Sequence, residues 1–125
     1  MTHVYNDGNN RNERYKNEAN DCTVIAYSIA ANIPYANAHA ELFLAGRKFR
    51  RGFQFPLFAA TKDWKRFPRP GMEVDKYVQY IAYSGRWIIQ VRGHVFAVVD
   101  GVIHDTIRLN KLVNRHVKRA WKLAD

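Results

Sequence analysis

The chain predicts an α+β domain, with N-terminal helices packed on a C-terminal twisted antiparallel sheet. Three observations carry this expectation. Apolar and small residues recur at helical spacing from Cys22 to Ile33. A second helical pattern occupies residues 73–83. Apolar runs then flank an Asp100-Gly101 pair in the last third.

In the first helix, Cys22, Ile25, Ala26, Ile29, Ala30 and Ile33 fall at i, i+3, i+4 and i+7, the pattern of one face. Asn20 or Asp21 can cap its start, and Pro34 ends it. Another helix is expected over residues 35–45, stopped by Gly46, with Ala38, Leu42 and Ala45 on its apolar face. Residues 47–71 read as irregular, apart from one helical turn over 55–60. The helix over 73–83 puts Val74, Tyr77, Val78 and Ile81 on one face, with Gly85 past its end.

The last third reads as strands. Residues 87–91 form one apolar run, bounded by arginines. Residues 94–99 and 102–106 flank Asp100-Gly101, a strong signal for a two-residue hairpin turn. Residues 117–123 alternate enough for a final strand, with a short basic helix as the other option. Residues 1–19 are polar, rich in asparagine and without a period, so they read as an arm or loop. Residues 20–125 make a single domain.

Composition narrows the classes. At 125 residues and 47% hydrophobic, the chain can build one real core. It contains no apolar run near the ~20 residues that a membrane span needs. Its first residues lack the apolar segment of a secretory signal. The expected location is therefore cytoplasmic. A single cysteine excludes an internal disulfide and fits a reducing compartment. The formal net charge of +9 favours anionic partners, including weak binding to nucleic acid or an acidic protein. The basic stretches 47–51 and 115–119, with Phe49, Phe53 and Trp64 interleaved, allow base stacking. A solvated rim, with the aromatics tucked into the core, is the plainer and preferred reading. His3, His39, His94, His104 and His116 form no ligand pair at zinc-finger or HExxH spacing. No metal or organic cofactor is expected.

Cys22, His94 and Asp105 are the residues that could do chemistry. Cys22 falls in the first turn of a helix, where negative charge is favoured, and the thiolate is the reactive form of cysteine. A nearby imidazolium would complete the activation. If Asp100 and Gly101 are the central turn residues, Val99 faces Val102, Val98 faces Ile103 and Phe96 faces Asp105. Side chains alternate, so His94, Phe96 and Val98 share a face with Ile103 and Asp105. His94 is then diagonal to Asp105, roughly 7–8 Å between backbones and within side-chain reach. Asp100 is the competing acid, but it lies in the turn at the far end of the hairpin, where turn formation is role enough. His104 points to the opposite face. For an oxyanion, the Cys22 amide is one donor, and Asn17, ahead of Asn20, is the candidate second.

Asn20-Asp21-Cys22 opening a helix, then Gly93-His94, an apolar strand, a turn and Asp105, resembles the papain-like cysteine peptidase superfamily. The nearest members are small bacterial ones, such as peptidase domains that process double-glycine leader peptides. With Ala45-Gly46-Arg47-Lys48 and Val117-Lys118-Arg119-Ala120-Trp121, the pattern is also similar to small proteins of tailed bacteriophages. The resemblance implies a papain-like fold, a helix-plus-sheet cleft and a thiol nucleophile. For a phage-encoded chain it places the protein in the host cytoplasm. Papain-like enzymes commonly carry a glutamine six residues before the cysteine as an oxyanion donor, and Lys16 stands there instead.

The expected function is thus a cysteine hydrolase, a peptidase or amidase, acting on a peptide or isopeptide bond through a Cys22-His94-Asp105 triad. One alternative is a basic binding module for nucleic acid or an acidic host protein, on an inactive papain-like scaffold. The other is an acyltransferase on the same scaffold.

Overall fold

A computed structural model describes residues 2–5, 22–46, 54–68, 70–106 and 111–125. Along the chain run β1 (Thr2–Tyr5), α1 (Cys22–Ala31), α2 (Tyr35–Leu44), α3 (Phe55–Ala59), β2 (Lys65–Phe67), α4 (Val74–Tyr80), β3 (Arg86–Val91), β4 (His94–Val99), β5 (Val102–Asp105) and β6 (Arg119–Ala124). The strands form one sheet in the order β1-β5-β4-β3-β6-β2. Neighbouring pairs are antiparallel, except β1 with β5, which is parallel. The class is α+β.

The order of helices and strands corrects the sequence reading. Thr2–Tyr5 is a strand rather than part of a loop, and β2 falls between α3 and α4. Both are short edge strands. Four residues of β1 are too few to display a period, and its partner β5 is far away in sequence. In β2, two of three residues are exposed cations, so the strand carries no apolar signal. Charges on an edge also discourage pairing with other chains.

The sheet separates two apolar clusters. On one face Ile88, Val95, Ala97 and Trp121 pack against α1, α2 and α3. On the other, Trp87, Ile89, Phe96, Val98 and Ile103 pack against Val74, Tyr77 and Val78 of α4. The alternation along β3 and β4 supplies both faces, as a sheet covered on two sides requires.

Helix α1 differs from the one-faced helix its spacing predicts. Thr23, Val24, Ile25, Ala26, Tyr27, Ser28 and Ala30 are all buried. A helix apolar on nearly all sides belongs inside the protein. Its end is marked by Asn32 at φ 57° and then Pro34. Helix α4 stops at Tyr80 rather than at residue 83, and Ala82 N–H donates back to Tyr77 O at 2.9 Å.

The Asp100-Gly101 turn has positive φ at both positions, 49° and 80°, the type I′ geometry that suits a two-residue hairpin. Val99 pairs with Val102 and Val98 with Ile103, the register expected from the turn. Asp100 Oδ1 accepts the Gly85 amide at 2.9 Å, which ties the turn to the start of β3. Gly85 itself has φ 86°, and a Cβ there would sit 2.6 Å from the Ala124 carbonyl oxygen. Gly85→Ala is therefore expected to destabilise the fold by about 2 kcal/mol or more. Urea unfolding checks this, and an unchanged midpoint would contradict it.

Candidate active site

Cys22 is the first residue of α1, and His94 is the first residue of β4. Asp105 is the last residue of β5. All three stand at element ends, where side chains from different layers can meet. By alternation His94 lies on the α4 face of the sheet, whereas α1 packs mainly on the other. Their positions at the ends let the thiol and ring interact across that boundary.

The His94 ring is held from two sides. Its Nε2–H donates to Asp105 Oδ2 at 2.7 Å. The other Asp105 oxygen accepts the Thr106 amide at 2.7 Å. Both carboxylate oxygens are thus engaged, and the Asp105 side chain is only 4% exposed. The Phe96 ring stacks near His94 at 6.1 Å between centroids. The Cys22 thiol lies near enough to the imidazole to act on its charge. Since Asp105 occupies Nε2, Nδ1 is the ring nitrogen left for sulfur.

The electrostatics of the ring follow from these contacts. Burial disfavours the imidazolium, but the Asp105 hydrogen bond, then the influence of Cys22 and the Asp105 charge, outweigh it, raising the His94 pKa to about 9. At neutral pH the ring is therefore cationic.

This shift has a consequence for stability. The folded-state value lies above the ordinary 6.5. The stabilisation is full below about pH 6.5 and is lost as pH rises through about 9. Raising a histidine from 6.5 to about 9 corresponds to about 3 kcal/mol. Urea unfolding should show wild type losing its advantage over His94→Phe across that window. A constant difference would contradict it.

Asp100 stays in the turn, as its competing reading requires, and its side chain binds Gly85. His104 pairs in register with Ala97 on the face opposite Asp105. Asn17, Asn20 and Lys16 lie outside the described residues, as do Phe49 and Phe53 of the basic stretch. Trp64 packs among Tyr27, Phe55 and Phe58, as the core reading of the aromatics has it. Thr23, which the sequence did not single out, follows Cys22 in the chain. Its hydroxyl is buried without a hydrogen-bond partner among the described residues, too enclosed to reach a substrate.

No family model, curated protein or solved structure matches the chain. What the site can do follows from its own geometry. Among the described residues, no group of three or more histidine, cysteine or carboxylate side chains is arranged to hold a metal ion. No helix of the described residues is long and apolar enough to cross a membrane.

A second polar cluster was not legible in the sequence. Tyr27 Oη donates to Glu41 Oε2 at 2.7 Å, and Lys62 Nζ bonds the other Glu41 oxygen. Burial favours the neutral acid of Glu41, but its bonds to Lys62 and Tyr27 prevail and lower its pKa. The Glu41 bond raises the Lys62 pKa. Lys62 also lies 5.0 Å from the Phe58 ring centre. The cluster joins α1, α2 and the segment after α3, a bracing role.

Proposed function

We propose that the protein is a papain-like cysteine hydrolase, acting on a peptide or isopeptide bond. The observation that carries this reading is the His94 ring, fixed by Asp105 at 2.7 Å and acted on electrostatically by the Cys22 thiol. A nucleophile, a base in contact with it and a third group orienting the base form the arrangement that thiol catalysis needs. The resemblance of Asn20-Asp21-Cys22, Gly93-His94 and Asp105 to papain-like peptidases points the same way.

The chemistry runs in two halves. Cys22 Sγ attacks the carbonyl carbon as the thiolate, with His94 already carrying the proton as the imidazolium. The Cys22 amide donates to the oxyanion that forms. The C–N bond then breaks, and the imidazolium gives its proton to the leaving amine. A thioester remains. His94 next takes a proton from water, whose oxygen attacks the thioester. The C–S bond breaks, the acid departs and the thiol site is restored. Asp105 orients the ring and supports its positive charge throughout.

Intact-protein mass spectrometry after brief iodoacetamide treatment near neutral pH tests the reading. Cys22 should be alkylated faster than a small free thiol, and His94→Ala should slow the reaction. A Cys22 no more reactive than the free thiol would sink it.

A further inference from the structure

We propose that a basic groove beside the hairpin turn of His94 binds an acidic segment of the polypeptide substrate. The inference rests on the hydrolase reading for calling that polypeptide a substrate. The groove has a volume of about 500 Å³ and is lined by Arg92, Arg115, His116 and Lys118, with Pro70, Gly71 and Val117 between them. Its lining carries no carboxylate among the described residues. Arg92, His116 and Lys118 are exposed.

The segments that carry these cations are held by backbone bonds. Gly71 N–H donates to Val117 O at 2.7 Å, Val117 N–H to Met72 O at 2.8 Å, and Lys118 N–H to Gln90 O at 2.8 Å. The Arg115 guanidinium donates to the Arg92 carbonyl. Three stretches of chain thus converge to hold their charges in place, so a ligand meets a site already formed.

Register relates the groove to the thiol site. Val91 pairs with His94 across the Arg92-Gly93 turn. Gln90 pairs with Arg119, which puts Lys118 opposite Val91. His94, Val91 and Lys118 therefore form a row across β4, β3 and the residue that leads into β6, on one face of the sheet. Two strand spacings span roughly 10 Å, about three residues of extended chain. The geometry places an acidic side chain of the substrate about three residues from the bond to be cut.

The occupant is a carboxylate-bearing peptide rather than a nucleic acid. Single-stranded nucleic acid is gripped by stacking bases on aromatic rings. The described lining contributes proline, glycine and valine between its cations, and His116 as its one ring.

Fluorescence anisotropy with fluorescein-labelled hexaglutamate at low salt tests the proposal on the full chain. Arg92→Glu/Lys118→Glu should weaken binding about tenfold. Lys65→Glu/Arg66→Glu on β2 changes the net charge equally and should leave the affinity within about twofold. Circular dichroism melts confirm that both variants fold. Equal weakening by the two pairs would overturn the groove, since net charge alone would explain the binding. Tighter binding of a dT20 oligonucleotide than of hexaglutamate would overturn it in favour of nucleic acid. Iodoacetamide capture of Cys22 reports the hydrolase reading separately. A sluggish thiol with a groove-dependent hexaglutamate site would sink the hydrolase and leave an acidic-peptide site standing.

Discussion

His94→Ala is expected to lower hydrolysis of peptide amides by about 10²- to 10⁴-fold, the usual worth of a positioned acid–base group. In the proposed hydrolase His94 is needed twice in each cycle. The imidazolium hands its proton to the leaving amine, and the neutral ring then takes a proton from water. Its environment suits the first of these tasks, because Asp105 and Cys22 keep the ring protonated up to about pH 9. The same value sets a pH limit. Loss of the imidazolium should give the rate a falling basic limb near pH 9. Cys22→Ala removes the nucleophile and should leave only background. The assay is release of a fluorogenic amine from a mixed peptide-amide pool. A His94→Ala rate within a few-fold of wild type would contradict the role of the ring.

Asp105→Ala should cost about 3–5 kcal/mol of stability at neutral pH, as removal of one partner from a buried ion pair does. The ring is 9% exposed, so little water is at hand to replace the carboxylate. Burial then opposes the imidazolium with only the Cys22 interaction against it. The pKa of His94 should fall well below 9. Hydrolysis should drop by about 10²-fold, because the ring is no longer held in its working orientation. Asp105→Asn keeps the shape and loses the charge, so it should stabilise better than alanine while still lowering the ring's pKa. Urea unfolding and a ring-proton titration read these effects independently. An Asp105→Ala protein as stable as wild type would show that the pair is solvated rather than buried.

The hairpin was legible because Asp100-Gly101 is a local signal. It fixes the type I′ turn, the register and so the shared face of His94 and Asp105. The helix opening at Cys22 was legible for the same reason, from short-range apolar spacing. What escaped depends on distant pairing. β1 exists because β5 offers it an edge, and β2 because β6 does. Neither Thr2–Tyr5 nor Lys65–Phe67 carries enough residues to announce a strand alone. The all-round burial of α1 comes from layers on both sides of it, which one helix's spacing does not encode. The basic groove was visible only as a run of charge at residues 115–119. Arg92 joins it through the fold, across the β3–β4 turn. The Tyr27-Glu41-Lys62 cluster likewise unites three segments that no motif links.

The contact of thiol and imidazole decides the account, and titration of the His94 ring protons by NMR in wild type and Cys22→Ala tests it most directly. The wild-type midpoint should lie near pH 9, and loss of the sulfur should move it distinctly lower. A midpoint unmoved by Cys22→Ala, or one already at the ordinary 6.5 in wild type, would mean that sulfur and ring do not interact.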